Sequence, residues 1–329
     1  VPGGALKVSV GAIEFDNKSV SCTGENEGVC GDRFNAWSTQ VCEIDGDELV
    51  WDERLRIPLR PMIGVIGVAP EGDPINCGTP GSHGGNMDNT AITAGATLYF
   101  PVFADGALFG CGDMHAVMGD GEISVSGAEA AGWATVTRTA MPELKLVDPL
   151  IGNATHFGVI ASAETLDAAA DRAVHEMVDL ICDRTAEDPD KVVMLLSLVG
   201  DVQVCQMVDP EKTIRFMVPK YVLDSLGFKL EERVCREATE EAWGNSRRGR
   251  PWSPLFLSCE GVFLARAGQG QLLWRIRWRG GLTKVSSYGF ASERYIEGLP
   301  TIYTNENNRA CEYMRTRIIY SKRFIRVEV

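Results

Sequence analysis

The sequence lacks the features of a membrane protein, of a secreted disulfide scaffold and of several common hydrolase classes. No stretch approaches the roughly 20 consecutive apolar residues that a membrane-spanning helix needs, so we expect no membrane partner. The ten cysteines include no Cys-x-x-Cys pair, which favours free thiols in a reducing cytoplasm. A disulfide stays open only within the group Cys22, Cys30 and Cys42. No His-Glu-x-x-His motif, EF-hand loop or Gly-x-Ser-x-Gly elbow occurs either.

Acidic and basic residues are distributed unevenly along the chain. Residues 1–230 hold 15 Lys and Arg against 34 Asp and Glu, a net charge of −19, whereas residues 231–329 hold 17 against 11. The strong negative charge argues against a nucleic-acid partner for residues 1–230, because phosphate binding needs a basic surface. The change of sign predicts a boundary between two segments near residue 230.

Short apolar runs broken by Gly, Pro, Asn and Asp predict many strands in the first 230 residues. The predicted strands are 61–68, 97–103, 122–126, 202–208 and 214–218. Helical spacing of apolar residues predicts a helix at 166–183. The pair Asp188-Pro189 predicts the start of a second helix, because proline suits a first helical turn.

These elements predict a mostly β fold with an α+β portion, of the β-sandwich or barrel type. We divide the chain into a β-rich domain at 1–150 that carries the site, an α+β portion with two helices at 151–230, and a basic C-terminal extension at 231–329.

Two glycine-rich polar loops, residues 81–88 and 112–122, carry the candidate chemistry. The strand that begins near Thr97, a turn at 104–106 and the short run after it predict a hairpin between the loops. A hairpin would return both loops to one side of a sheet, where they could share a cavity.

The donors in these loops suit a divalent cation. Imidazole and carboxylate groups are what zinc accepts when a position stays open for water, and such water has a pKa near 7. Asp113 and His115, two residues apart on a strand, point to the same face. Gly119 and Gly121 would permit a turn that brings Glu122 back towards them. Either Glu122 or Asp120 would move the proton.

A structural explanation of the same residues is that Asp and Gly are ordinary turn material. The combination of two histidines and three acids around one hairpin favours the cation site. His156, before an apolar strand, and His175, on the predicted helix, are interpreted as structural.

At these loops the sequence resembles the acetamidase/formamidase family. The supporting stretches are 61–70 (PMIGVIGVAP), 81–88 (GSHGGNMD), 106–107 (GA) and 112–122 (GDMHAVMGDGE), with 201–209 (DVQVCQMVD) and 218–220 (VPK) further on. The resemblance covers about residues 1–230. An N-terminal segment of the family has no counterpart, and residues 231–329 are unmatched.

The resemblance implies metal-assisted hydrolysis of short aliphatic amides by a mostly β, cytoplasmic homo-oligomer, a dimer or tetramer. It implies that the metal or active-site positions are His83, Asp113, His115 and Glu122. Gly84, Asn86 and Asp88 would shape the substrate pocket. The metal would be zinc, with calcium as a candidate second ion. The alternatives are an inactive amidase fragment or a non-catalytic β module that a metal stabilises.

The basic extension has a pattern of its own. Residues 231–242 are compatible with a helix, and runs at 262–265 and 272–278 predict a hairpin. In the second run aromatic residues alternate with arginines, which would place them on opposite faces of a strand. A half-buried strand with a solvated face explains this pattern better than a surface for single-stranded nucleic acid or an acidic partner.

Overall fold

The computed structural model describes residues 1–231 and three strands of the C-terminal segment, at 272–279, 317–320 and 325–328. This part of the chain is mostly β, with sixteen strands and three α-helices. The strands are β1 Ala5–Thr23, β2 Ser38–Asp45, β3 Glu48–Val50, β4 Arg56–Pro58, β5 Met62–Gly67, β6 Gly84–Asn86, β7 Thr97–Pro101, β8 Gly110–His115, β9 Glu129–Met141, β10 Leu150–Gly152, β11 His156–Ala163, β12 Asp201–Gln206, β13 Lys212–Pro219, β14 Leu272–Arg279, β15 Arg317–Tyr320 and β16 Ile325–Glu328. The helices are α1 Leu166–Arg184, α2 Pro189–Val199 and α3 Lys220–Ser225.

The strands form one curled, half-barrel sheet. Its main path runs β12-β13-β11-β10-β7-β1-β9-β14-β16-β15, with β2 to β6 and β8 branching from it. All of these pairs are antiparallel except β14 with β16. The prediction of a mostly β fold with an α+β portion is confirmed. Because β10 pairs with both β7 and β11, strands from either side of residue 150 join the same sheet, and the domain division stays a prediction.

Strand β5 is the element that positions the site. All six of its residues are buried, and it pairs with β6 on one edge and β8 on the other. Strand β8 then contacts β9 through His115 opposite Glu129. The two glycine-rich loops therefore meet because β6 and β8 flank the same apolar strand.

Two local predictions were wrong. The hairpin expected between the loops does not form, because β7 pairs with β1 and β10 while β8 pairs with β5 and β9. The strand expected at 122–126 is a turn, in which the Val125 amide donates to the Glu122 carbonyl at 2.9 Å. Both of these residues have positive φ, which ends any extended segment.

The helices follow the predicted pattern. Helix α1 begins at Leu166 after Thr165, whose hydroxyl accepts a hydrogen bond from the Ala168 amide at 3.2 Å. Its buried face packs against β11 and β13. Helix α2 begins at Pro189, as predicted, and strands β12 and β13 match the two predicted strands that follow it.

Several other expectations concern the cysteines, the membrane and the extension. Cys30 and Cys42 carry free thiols, so no disulfide forms within the group Cys22, Cys30 and Cys42. Cys22 is nevertheless disulfide-bonded, so the expectation of free thiols was wrong for this residue. No helix in the described ranges is long and apolar enough to cross a membrane.

Strand β14 covers the predicted strand at 272–278 and pairs with β9. Its predicted hairpin partner at 262–265, and the predicted helix beyond residue 231, lie outside the described residues.

Candidate active site

His115 lies at the centre of a ring of carboxylates. Its Nε2 atom is 3.0 Å from Glu129 Oε2, 3.6 Å from Asp113 Oδ2 and 3.7 Å from Asp88 Oδ1. Its Nδ1 atom, on the other side of the ring, is 4.0 Å from Glu122 Oε1. Carboxylates therefore face both imidazole nitrogens.

Different segments contribute these side chains. Asp113 and His115 come from β8, and Glu129 is the first residue of β9 and lies directly opposite His115. Asp88 follows β6, and Glu122 belongs to the loop after β8. Asp113 and His115 lie two residues apart on β8, and their side chains meet with His115 Nε2 3.6 Å from Asp113 Oδ2.

Several polar atoms of this cluster are buried without a hydrogen bond of good geometry, although His115 Nε2 and Glu129 Oε2 are close enough to form an ion pair. In the described part of the chain, they include both nitrogens of His115, both carboxylate oxygens of Asp88 and Glu129 Oε2. A buried polar group without a partner costs about 1–3 kcal/mol. Because Asp88 and Glu129 lie on the Nε2 side of the His115 ring, a cation there would satisfy His115 Nε2 and these carboxylate oxygens together. The residues present on that side fit a divalent metal.

Two sets of donors could each hold a cation. One is Asp88, His115 and Glu122, and the other is Asp113, His115 and Glu129; the donor atoms of each set lie within 4.8 Å of one another. Imidazole with several carboxylates is a donor set that zinc accepts.

Two glycines make room for the cluster. A Cβ atom on Gly64 of β5 would clash with Asp88 Oδ1 and would lie 2.7 Å from Asp113 Oδ2. A Cβ atom on Gly127 would lie 2.5 Å from Nδ1 of the His115 ring. The absence of side chains at these positions therefore allows the donors to converge.

Burial and charge act in opposite directions on the pKa values of His115 and Asp113. Burial opposes a charge on His115, but the carboxylates of Glu129 and Asp113 outweigh it and hold the pKa of His115 well above its ordinary value. Burial would also raise the pKa of Asp113, but the neighbouring His115 lowers it overall. Together they form an imidazolium–carboxylate pair when no metal is bound.

The pKa values of the remaining acids of the cluster are raised. Burial, together with nearby carboxylates, raises the pKa of Glu122 to about 8 and that of Asp88 well above its usual range. Burial also raises the pKa of Glu129. Glu122 therefore holds a proton at neutral pH, because so many negative charges cannot share one buried site.

Asp209 is a further acid of the site that the sequence analysis did not single out. Its Oδ2 atom accepts a hydrogen bond of 2.8 Å from Asn86 Nδ2, and burial raises its pKa to about 7. The buried Gln206 fixes its backbone, because Gln206 Oε1 accepts from the amides of Val208 and Asp209 at 2.9 and 3.0 Å. The only sequence signal was the family-like stretch 201–209.

A cavity of approximately 350 Å³ opens onto these side chains. Its polar lining includes Asn86, Asp88, Asp113, Glu122, Glu129 and Asp209, and its other walls include Trp37, Val65 and residues 76–79. A cavity at the small end of the usual range for ligand pockets suits a small polar molecule.

The structure brings together Asn86, Asp88, Asp113, His115 and Glu122 from the predicted set. It also adds Glu129, which the sequence analysis missed because nothing in the pattern of β9 distinguishes that residue.

Three other predicted residues are not members of the donor groups found in the described ranges. The buried His83 has its ring beside Gly81 and Gly85 of its own loop, and burial lowers its pKa. Gly84 pairs with Gly67 of β5. Asp120 forms an ion pair of 2.6 Å with Arg215.

The chain is similar to known acetamidases and formamidases. A family model described as the acetamidase/formamidase family matches residues 73–225. A predicted acetamidase/formamidase from Thermoanaerobacter tengcongensis has a similar crystal structure, with 45% identity and a TM-score of 0.69 over 70% of this chain and 76% of that one. For a Bacillus halodurans acetamidase structure the values are 44%, 0.66, 69% and 77%.

A curated acetamidase from Mycolicibacterium smegmatis is 34% identical over 99 residues. This alignment spans 24% of the present chain and 24% of the relative's own length. The structural matches cover about three quarters of their chains at well over 30% identity. The residues that the family model matches include His115 and the carboxylates around it. The chain therefore belongs to the acetamidase/formamidase family.

Proposed function

We propose that this protein hydrolyses short aliphatic amides of the formamide or acetamide type to ammonia and a carboxylate. The observation that carries the proposal is one buried imidazole surrounded by carboxylates with unpartnered atoms, and these carboxylates line a small cavity. Relatives of known structure that carry the name acetamidase share this fold.

We assign the cation to His115 Nε2 and to the three carboxylates that face this atom, those of Asp88, Asp113 and Glu129. Zinc is the proposed metal, with calcium as the candidate second ion because carboxylates dominate the site. A cation bound there would polarise the amide carbonyl and make water a better nucleophile.

Glu122 is the proposed proton carrier. It lies on the opposite side of the His115 ring from the other acids and lines the cavity. A cation bound nearby would favour the ionised form of Glu122, because opposite charges stabilise each other. The carboxylate would then take a proton as the water oxygen bonds to the carbonyl carbon. It would then return that proton to the nitrogen as the carbon–nitrogen bond breaks and ammonia leaves.

Asn86 is the proposed contact for the amide nitrogen of the substrate. Its Nδ2 atom donates to Asp209, which fixes the orientation of the side chain. Its Oδ1 atom is buried with no hydrogen-bond partner among the described residues. A substrate N–H group could donate to this oxygen.

The proposal does not require His83 as a ligand or Asp120 as a proton carrier, and those roles remain predictions from the sequence. The family resemblance also supports a cytoplasmic homo-oligomer as part of the proposal.

The test measures ammonia release and metal content together on the full chain. We expect one or more equivalents of bound divalent metal, ammonia release from formamide or acetamide, and loss of activity after chelation with recovery on adding zinc. His115→Ala should lose metal and activity. Glu122→Gln should keep the metal but lose roughly 100-fold or more in kcat, the usual loss for a general acid–base.

The matched control is His175→Ala, because His175 is an imidazole with a side chain 75% exposed on α1. It should retain metal and activity. Stoichiometric metal binding without ammonia release would instead favour the non-catalytic, metal-stabilised module or the inactive fragment. Full activity in the metal-free protein would contradict the proposal.

A further inference from the structure

Arg215 on β13 is a nearly buried arginine outside the donor ring, with a side chain only 7% exposed. Its guanidinium binds Asp120 in a bidentate manner, with Nη1–Oδ1 and Nη2–Oδ2 distances of 3.1 and 2.6 Å. Such a paired contact fixes direction as well as distance, because both groups are planar. Nothing in the proposed chemistry uses this ion pair.

The same guanidinium also reaches the other glycine-rich loop. Arg215 Nη1 donates to Asn89 Oδ1 and to Thr90 Oγ1, each at 3.1 Å. The Thr90 hydroxyl donates in turn to Asp120 Oδ1 at 2.6 Å. Arg215 therefore joins the loop that follows Asp88 to the loop that precedes Glu122.

Strand β12 anchors this arrangement from behind. Arg215 Nε donates to Gln203 Oε1 at 2.6 Å, which sets the angle of the guanidinium plane. The amide of Gly121 donates to the Cys205 carbonyl at 2.8 Å, and the Gly121 carbonyl accepts from the Met207 amide at 3.2 Å. The residue before Glu122 is thus hydrogen-bonded to a strand of the sheet.

The two residues next to these anchors have backbones that need support. Asp88 has a φ of 41° and Glu122 a φ of 46°. Both values lie in the left-handed region, which residues other than glycine rarely adopt. Such conformations persist only where the surroundings enforce them. Arg215 contacts the immediate neighbour of Asp88 and a residue two before Glu122.

We propose that Arg215 is a positioning residue that clamps the two loops, and so holds the cation ligand Asp88 in place and sets its separation from the proton carrier Glu122. It acts through Asp120 and Asn89 and does not touch the donors themselves. The inference rests on the proposed cation site but not on amide turnover.

The experiment measures zinc affinity of the metal-free full chain by competition with a chromogenic chelator, for wild type, Arg215→Met, Arg215→Lys and Asp120→Asn. Loss of a group that orients metal ligands usually weakens metal binding 10- to 100-fold. We expect a loss of about that size for Arg215→Met. A smaller loss is expected for Arg215→Lys, which keeps the charge but not the bidentate geometry.

A double variant separates positioning from general stability. If Arg215 acts through Asp120, then Arg215→Met combined with Asp120→Asn should weaken zinc binding no more than Arg215→Met alone. Asp120 is 44% exposed, so the Asp120→Asn variant is expected to fold even where Arg215→Met does not.

The matched control is Arg184→Met, which removes another buried arginine, one that donates to the Leu230 carbonyl at 2.8 Å. It should lower the melting temperature without changing zinc affinity. An unchanged zinc affinity in Arg215→Met and Asp120→Asn would overturn the clamp while leaving the amidase proposal intact. Weaker zinc binding in these variants of a protein that turns over no amide would support the clamp and reject the amidase. A wild-type chain that binds no zinc would overturn both.

Discussion

Three carboxylate residues around His115 have left-handed backbones, namely Asp88, Asp113 and Glu122, with φ values of 41°, 54° and 46°. Each such conformation costs on the order of 1–3 kcal/mol in a residue other than glycine. Buried like charges add to this cost. The backbone strain and the charge repulsion both lower the stability of the fold, and both are concentrated where the donors converge. This is typical of a binding site.

Gly64 provides the sharpest test at the level of a single residue. Gly64→Ala would place a methyl group against Asp88 Oδ1 and Asp113 Oδ2, so we expect at least a tenfold loss of zinc affinity. Overpacking should also lower the free energy of unfolding by about 1–3 kcal/mol. Zinc titration and thermal denaturation measure the two effects separately.

Gly119→Ala is the control for Gly64→Ala. It adds the same methyl group where no heavy atom lies within 4 Å of the built Cβ. Zinc affinity should stay near the wild-type value there. If Gly64→Ala also binds zinc normally, then the close approach of the two aspartates to β5 is not required for the site.

The elements of the fold were partly readable from the sequence. The apolar run that forms β5 and the periodic helix α1 were predictable because each buries its own residues in a local pattern. The pairing of β5 with both β6 and β8 was not, because which strands become neighbours depends on contacts far apart in sequence. The convergence of the loops was therefore predicted correctly but explained by a hairpin that does not exist.

The same limit explains which site residues were found. Asp113 and His115 share a face of one strand, so their spacing was informative. Glu129 and Asp209 reach the site from a later strand and a later loop, and no local spacing relates either of them to His115.

Helix α1 carries a half-buried acid, Glu176, whose effect on stability should depend on pH. Glu176 Oε1 accepts from the Asp148 amide at 3.1 Å, and Asp148 is paired with Arg172. Burial and the charge of Asp148 raise the pKa of Glu176 to about 7. Between about pH 4.5 and 7 the folded state keeps the proton of Glu176 while the unfolded state loses it. The free energy of unfolding therefore falls as the pH rises through this range.

Glu176→Gln should therefore gain stability relative to wild type as the pH rises. Its free energy of unfolding minus that of wild type should be about 1–2 kcal/mol larger at pH 8 than at pH 5.5. Glutamine keeps the acceptor oxygen but cannot ionise. Denaturant unfolding at the two pH values measures the change. Asp183→Asn, an exposed acid on the same helix, controls for the loss of charge. An equal gain at both pH values would exclude ionisation of Glu176 as the cause.

For the whole molecule, the cation and the fold should stabilise each other. A ligand that binds only the folded state at 100 times its dissociation constant adds about 2.7 kcal/mol to the free energy of unfolding. In a domain of this size that corresponds to an increase of roughly 5–10 °C in the melting temperature. Zinc should produce such an increase in the wild-type chain and in His175→Ala, and none in His115→Ala. An equal increase in all three would point to zinc binding elsewhere on the protein.

The position of β5 between β6 and β8 ties chemistry to strand alignment. Moving β5 by one residue relative to both neighbours would put the branched side chain of Ile63 or Val65 in the place of Gly64, since successive residues of a strand face opposite ways. The space shared by the aspartates would then be filled by hydrocarbon. Molecules that reach an otherwise complete but shifted sheet would thus be unable to take up metal, which makes metal content a measure of correctly aligned chains in any preparation.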